Sequence, residues 1–367
     1  YYVNGGYVKY NFPIAYTIGN LAWNIYEYLE ILQEKNENKK LFEKYMELIK
    51  WGADYLMACH PAPNILYAQI FTFDDDNSYW GRARDLPENL ETFKLTAMKP
   101  GSEIAGETSA ALAICYLLFR KAKYLIEPSA DGRRDIYQEK LKQHATQLYD
   151  FGSNYQGEYH LSIPDASAAF KSWSGYQDEL AWASLWLFQI TENREYLTKA
   201  NLHESLMTTK TEIQEHSWDD KRIAVKYKLK ELLGVFGSDV SSYEKEVHDF
   251  CQYNDPLSTQ KRAVFTPDGS LYISEWAPLR LALNNYFICL LFDFERYARL
   301  AYKQMQYILG DNSKKYSYVI GYGTKFPMNV LHKGASCPLT GVCDWGYKDT
   351  IKTQNNPQIL YGALVSG

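Results

Sequence analysis

PGSEIAGETSAALAICYLLF, residues 100–119, and SGYQDELAWASLWL, residues 174–187, are the two stretches that decide the fold class. In the first, Ser102 is a candidate helix N-cap and is followed by Glu103. In the second, Asp178 and Glu179 occupy the predicted first turn, where the helix dipole favours acidic side chains. Both stretches are rich in alanine or tryptophan, and each predicts a helix.

Apolar residues recur at helical spacing in several segments of the chain. These are Met46, Ile49, Ala53 and Leu56; Leu180, Ala183 and Leu187; Leu279, Leu283, Tyr286 and Leu290; and Tyr297, Leu300 and Met305. Alternating β-branched stretches are scarce, and connections such as HPAPN and TPDGS favour turns. The predicted class is therefore all-α. No Gly/Ser-rich or Pro-rich linker divides the chain, which favours a single domain over residues 1–367.

Composition excludes several classes of function. The chain has 367 residues and 46% hydrophobic content, enough to bury a large core. Its formal net charge of -5 gives no cationic surface to neutralise phosphates, so we expect no nucleic-acid partner. We also expect no membrane span, since the chain has no apparent apolar run of sufficient length. No organic cofactor is expected either. The chain opens on Tyr1 without a start Met or signal peptide and looks trimmed.

The six cysteines are too few for a disulfide scaffold at this length. Cys115 and Cys289 lie within apolar helical runs, where buried free thiols are expected. Cys337 and Cys343 bracket the short loop CPLTGVC, which one bridge could close. The sequence leaves both states of that pair open, and a bridge there would imply an oxidising compartment.

Nine blocks of the sequence follow one another in a family-specific order. They are YVKYNFPIAYTIGNLAW (7–23), YAQIFTFDDDNSYWGR (67–82), PGSEIAGETSAALA (100–113), SWSGYQDELAWASLWL (172–187), SWDDK (217–221), LYISEWAPLRLALN (271–284), YILGDN (307–312), SYVIGYG (317–323) and NPQILYGALVSG (356–367). In that order they resemble the landmarks of glycoside hydrolase family 9. The resemblance implies an (α/α)6 toroid, a six-hairpin glycosidase-like fold, with its first and last helices expected to be missing. It also implies a β-1,4-glucan cleft and an extracellular protein.

Hydrolysis in the family that this chain resembles is inverting and needs a carboxylate base and a carboxylic acid. The family carries its base in an Asp-Ala-Gly-Asp motif, where this chain reads Val3-Asn4-Gly5-Gly6, so Val3 and Gly6 replace both aspartates. The acid lies in an Asn-Glu motif that is expected after GALVSG, where the chain stops at Gly367. The supporting His, His and Arg positions also differ, and they read Asn77, Leu331 and Lys333.

These replacements predict a catalytically inactive relative of the β-1,4-endoglucanases, retained as a glycan-binding or structural extracellular component. One alternative is an active endoglucanase whose acid lies in sequence not shown and whose base is Asp74, Asp75 or Asp76. Another is a structural subunit of a larger assembly, in which a Tyr-rich surface pairs with other chains.

The resemblance also assigns binding residues that remain intact. Trp80, Trp173 and Trp276 correspond to aromatic sugar contacts, and Arg280 corresponds to a further substrate contact. Because stacking on tryptophan needs no ionisation, glucan binding can outlast hydrolysis. His60 and His332 are predicted to be non-catalytic, since a lone histidine more often satisfies a local hydrogen bond.

A structural calcium ion is a further implication of the resemblance. Its expected ligands are Ser174, Gly175, Asp178, Glu179 and Asp219, with Asp220 as an alternative to Asp219. Hard oxygen ligands suit Ca2+. The competing interpretation is that the two acidic residues after Gln177 only stabilise the start of a helix.

Overall fold

The computed structural model describes residues 5–34, 39–123, 133–209, 211–260 and 262–365. The helices are α1 (Asn11–Glu27), α2 (Leu29–Glu34), α3 (Lys39–Ala58), α4 (Phe73–Ser78), α5 (Ser102–Lys121), α6 (Arg133–Asn154), α7 (Tyr159–Ser162), α8 (Gln177–Thr191), α9 (Glu195–Leu206), α10 (Arg222–Val235), α11 (Ser241–Tyr253), α12 (Pro278–Phe292), α13 (Phe294–Ile308), α14 (Lys333–Ser336) and α15 (Trp345–Thr350). The strands are β1 (Lys9–Tyr10), β2 (Leu66–Ile70), β3 (Thr92–Leu95), β4 (Val264–Phe265) and β5 (Leu271–Tyr272). Every helix predicted from periodicity is present.

The described residues group into two compact units that interleave along the chain. The first unit comprises the described residues of 9–73 and 91–209, and the second unit those of 5–8, 74–90 and 211–365. The prediction of one domain over residues 1–367 stays a prediction.

Helix α5 is the centre of the first unit and packs against α1, α6 and α8. Small residues let these helices approach closely: a Cβ on Gly19 would lie 3.2 Å from Cα of Ala111, and a Cβ on Gly106 would lie 3.0 Å from the Glu179 backbone. The antiparallel sheet β1-β2-β3 belongs to the same unit. Small residues in α5, which the sequence shows as an alanine-rich run, are what allow this packing.

By length and composition alone, α5 could cross a membrane, although no such run was expected. However, 94% of its apolar window is buried inside the protein. Its apolarity is accounted for by its place at the core of the first unit.

In the second unit, α10, α11, α12 and α13 pack in sequence order. A disulfide joins Cys251 of α11 to Cys289 of α12, so the prediction of a free thiol at Cys289 is wrong. The two cysteines are 38 residues apart and meet only because their helices pack together. Cys115 is a buried free thiol, as predicted.

The start of α5 differs by one residue from the sequence-based expectation. Gly101, not Ser102, is the N-cap. The Ser102 hydroxyl instead donates to the carbonyl of Gly152 at 2.8 Å and accepts from the N–H of Gly157 at 3.1 Å. The side chain therefore bonds to the chain around the end of α6 and does not cap its own helix.

The buried His60, which pairs with the partly buried His144, makes the stability of the first unit depend on pH. Nδ1 of His60 lies 2.8 Å from Nδ1 of His144, and burial, followed by the charge of His144, lowers the pKa of His60 from 6.5 to about 4. The unfolded chain therefore binds more protons than the folded chain below pH 6.5. Stability from His60 is present above pH 6.5 and is lost as pH falls toward 4.

We expect urea unfolding midpoints to fall between pH 7 and pH 4.5, and to fall less in His60→Gln than in the wild type. His248→Gln is the matched control because His248 is exposed. Equal pH dependence in wild type and His60→Gln would contradict this account.

Candidate functional site

Three segments of the second unit meet around Gly6: Gly5–Tyr7, Asp76 of α4, and Leu331–Lys333. Gly5 has a left-handed φ of +74°, and a Cβ on it would lie 2.2 Å from the carbonyl oxygen of Leu331. The N–H of Lys333 donates to the Gly5 carbonyl at 3.0 Å. Glycine at position 5 is therefore required both by the backbone conformation and by the close approach.

The carboxylate of Asp76 is held against Gly6. Its Oδ1 accepts from the N–H of Tyr7 at 2.8 Å and pairs with Nζ of Lys333 at 2.9 Å. Nζ of Lys333 also donates to the backbone carbonyl of Asp76. Asp76 is only 8% exposed, and Oδ2 lies 2.2 Å from the point that a Cβ on Gly6 would occupy. Asp76 thus fills the space in which a side chain at position 6 would begin.

Of the two replaced base positions, only one lies within the described residues. Val3 and Asn4 lie outside the described residues, whereas Gly6 is described. Of the supporting positions, Lys333 is buried and contacts Asp76, while Asn77 and Leu331 are exposed. The structure therefore brings Gly6 and Lys333 together through Asp76, a contact that sequence spacing did not reveal.

A disulfide-closed loop lies next along the chain. Cys337 and Cys343 are bridged, which decides the pair that the sequence left open. Arg82 donates to the carbonyls of Pro338 at 2.7 Å and Gly341 at 2.9 Å. The loop is therefore fixed to the chain that follows α4.

Trp80 is buried, with 6% of its surface exposed. Its ring centroid lies 5.1 Å from that of Trp345, and Nζ of Lys348 lies 4.4 Å from the Trp80 ring and 4.3 Å from the Trp345 ring. Trp345, which sequence reasoning missed, donates from Nε1 to the carbonyl of Ser78 at 2.6 Å. Trp80 packs inside the second unit, and its predicted sugar contact stays a prediction.

Trp276 is presented to solvent, with 78% of its surface exposed. The next residue, Ala277, has a left-handed φ of +53°, a conformation that costs a residue with a Cβ about 1 kcal/mol or more. Pro278 then begins α12, and Arg280 lies in its first turn. Nε of Arg280 is buried and has no hydrogen-bond partner among the described residues. A strained turn therefore carries an exposed ring beside an unused donor.

Trp173 in the first unit is 75% exposed. Nζ of Lys171 lies 5.0 Å from the centroid of its ring. The ring is therefore exposed on the surface of that unit, and its predicted sugar contact stays a prediction.

The predicted calcium ligands are divided between the units. In the first, the hydroxyl of Ser174 donates to Oδ1 of Asp178 at 3.2 Å, and Asp178 and Glu179 are buried in the first turn of α8. Gly175 precedes them with a φ of +91°. These buried oxygen donors fit a hard cation in chemical type. No cluster of three or more His, Cys, Asp or Glu residues forms a metal site within the described ranges.

The remaining predicted ligand, Asp219, belongs to the second unit, and its N–H donates to Oγ of Ser217 at 3.2 Å. The alternative ligand, Asp220, is paired with Arg222 at 2.6 Å. Arg222 therefore competes with any cation for Asp220. Calcium binding stays a prediction.

His332 caps α14, where its Nδ1 accepts from the N–H of Ala335 at 2.9 Å. Burial lowers the pKa of His332. His332 makes a local hydrogen bond, whereas His60 pairs with His144, and the non-catalytic roles predicted for the two histidines stay predictions.

The model of Glycosyl hydrolase family 9 matches residues 1–367. Endoglucanase 1 of Oryza sativa subsp. japonica is 32% identical over 403 residues, covering 100% of this chain and 61% of that protein. Endoglucanase 5 of Arabidopsis thaliana is 32% identical over 402 residues, covering 100% of this chain and 61% of that protein. The chain thus spans about six-tenths of the length of these curated relatives.

Solved structures of an endoglucanase and a cellulase are similar to this chain. An endoglucanase from the termite Nasutitermes takasagoensis has a TM-score of 0.84 and 32% identity, covering 99% of this chain and 78% of that chain. The cellulase Cel9M of C. cellulolyticum, in complex with cellobiose, has a TM-score of 0.82 and 27% identity, with the match covering 99% of this chain and 78% of that chain. The predicted all-α class of (α/α)6 type is confirmed.

Proposed function

The chain belongs to glycosyl hydrolase family 9, and from that membership we propose that it recognises β-1,4-glucan through Trp276. The observation that carries the proposal is Trp276, an exposed ring on a strained turn beside the unused Nε of Arg280. Strain of this kind persists where the surrounding structure holds a residue in a functional position. The names of the curated relatives, endoglucanases, support the same ligand class.

The second part of the proposal is that hydrolysis through position 6 is lost. Glycine has no group that can take a proton from water, and Gly6 has no space for a side chain while Asp76 is seated there. Complete inactivity, predicted from the sequence, stays a prediction because Asp76 itself is a carboxylate in that place. The role of a structural subunit also stays a prediction.

We further propose that the protein works in an oxidising, extracellular compartment. Two disulfides, Cys251–Cys289 and Cys337–Cys343, support this location, because such bonds persist mainly outside the reducing cytosol.

Glucan recognition is tested by calorimetric titration of the purified protein with cellohexaose. Laminarihexaose, in which the glucose units are β-1,3-linked, is the matched control ligand. We expect binding of cellohexaose and at least tenfold weaker binding of laminarihexaose. Absence of heat with cellohexaose at millimolar concentration would overturn the proposal, whether or not the protein hydrolyses any substrate.

Calcium binding is a separate proposal, supported by the buried Asp178 and Glu179 beside Ser174. A ligand at 100 times its Kd stabilises the folded state by about 2.7 kcal/mol. We therefore expect 1 mM CaCl2 to raise the melting temperature of EDTA-treated protein by roughly 5 °C. Asp178→Asn should abolish the increase, whereas the exposed Asp239→Asn should keep it. An unchanged melting temperature in the wild type would rule out a stabilising calcium ion.

A further inference from the structure

The carboxylate of Asp76 reaches Gly6, one of the two positions at which the family motif has an aspartate. Oδ2 lies 2.2 Å, and Cγ 3.1 Å, from the point that a Cβ on Gly6 would take. In an aspartate at position 6, the carboxylate oxygens would lie at a similar distance from Cβ. We propose that Asp76 acts as a relocated general base, activating water in place of the side chain missing from position 6.

The two oxygens of this carboxylate are placed for different tasks. Oδ1 is anchored by the N–H of Tyr7 and by Nζ of Lys333. Oδ2 makes no hydrogen bond to any residue in the described ranges. A fixed carboxylate with one free oxygen is the arrangement that a general base requires. Because glycine at position 6 has no Cβ, it leaves room for this oxygen.

Neighbouring acids do not share this placement. Asp74 and Asp75 lie on α4 with Asp76 but are exposed, whereas Asp76 is buried. The atoms nearest to the Cβ position of Gly6 all belong to Asp76. Asp74 and Asp75 therefore provide matched controls on the same short helix.

Lys333 is the positioning residue of this arrangement. Its ammonium group contacts both Oδ1 and the backbone carbonyl of Asp76, and it is itself buried. These contacts fix the orientation of the carboxylate. Lys333 acts through Asp76 and not on the substrate.

The proposed step transfers one proton, forms one bond to the anomeric carbon and breaks another. A proton of water passes to Oδ2 of Asp76 as the water oxygen forms a bond to the anomeric carbon. The bond from that carbon to the leaving group breaks, and the leaving group departs with the electron pair. A fluoride leaving group needs no proton, whereas a sugar oxygen takes one from a proton donor such as a carboxylic acid. The carboxylate and water become a carboxylic acid and the α-anomer of the sugar.

β-Cellotriosyl fluoride therefore tests the base without depending on any acid. We expect the wild type to release fluoride above the buffer rate and to form the α-anomer, as observed by NMR. Asp76→Asn should lower the rate at least 100-fold, within the range for loss of a general base. Asp74→Asn and Asp75→Asn should stay within twofold of the wild type.

Two further measurements separate a catalytic role from a structural one. With Asp76→Ser, added azide should restore turnover and give α-cellotriosyl azide, because the small anion enters the space left by the carboxylate. Lys333→Met should lower the rate without giving an azide product. Melting temperatures and cellohexaose titrations of each variant report whether the fold persists.

The inference rests on glucan binding, but the two can fail separately. Fluoride release at the buffer rate by a wild-type protein that binds cellohexaose would overturn the role of Asp76 and leave recognition standing. Full activity of folded Asp76→Asn would overturn it as well. Absence of cellohexaose binding would instead remove the proposed function itself.

Discussion

Replacing Trp276 with alanine is expected to lower the affinity for cellohexaose about tenfold. The ring is largely exposed, and an aromatic ring that stacks on an apolar face contributes about 1.4 kcal/mol, a tenfold change in Kd. Trp173 of the first unit is exposed as well, and its predicted sugar contact is tested separately with Trp173→Ala. Titration calorimetry of the wild type and the two single variants provides the comparison.

The exposure of the Trp276 ring separates its effect on binding from any effect on stability. Because Trp276 buries little surface within the protein, its removal should leave the melting temperature nearly unchanged. Trp51→Ala is the control for removing an exposed tryptophan that we do not assign to glucan. Wild-type affinity in Trp276→Ala would contradict the proposed contact of this ring with glucan.

Restoring aspartate at position 6 is expected to destabilise the protein, although it restores the residue of the family motif. A Cβ on Gly6 would lie 2.2 Å from Oδ2 of Asp76. Overpacking of this kind costs roughly 1–3 kcal/mol, and a second carboxylate beside Asp76 adds repulsion between like charges. We expect Gly6→Asp to lower the free energy of unfolding by about 3 kcal/mol.

Urea denaturation of Gly6→Ala and of Gly6→Asp/Asp76→Gly separates these contributions. Gly6→Ala adds the Cβ without a charge and should show the steric part alone. The double variant removes the obstructing carboxylate and should recover most of the loss. A Gly6→Asp protein as stable as the wild type would contradict the close approach of Asp76.

Sequence patterns predicted the helices well because their information is local. The alanine-rich run predicts α5, and the acidic first turn predicts the start of α8. Each of these signals lies within a few consecutive turns of the chain. The bridge between Cys251 and Cys289 could not be predicted in the same way, since it depends on how α11 packs against α12. The hydroxyl of Ser102 was misassigned for the same reason: its partners, Gly152 and Gly157, lie far along the chain.

For the candidate site, too, local features were predictable from the sequence and long-range contacts were not. Sequence comparison identified Gly6 as a replaced position, but Tyr7 and Asp76, which bond beside it, are 69 residues apart. Asp76 was one of three acidic residues that the sequence could not rank. Similarly, Trp80, Trp173 and Trp276 have the same chemistry in the sequence, and only packing distinguishes the buried ring from the exposed ones.

The contact between Asp76 and Gly6 makes the two positions interdependent. An aspartate at position 6 would crowd the carboxylate of Asp76 and destabilise the protein. Changing Asp76 alone would leave the buried ammonium of Lys333 without its carboxylate. The effect of a substitution at either position therefore depends on the residue at the other, which is epistasis between residues far apart in the sequence.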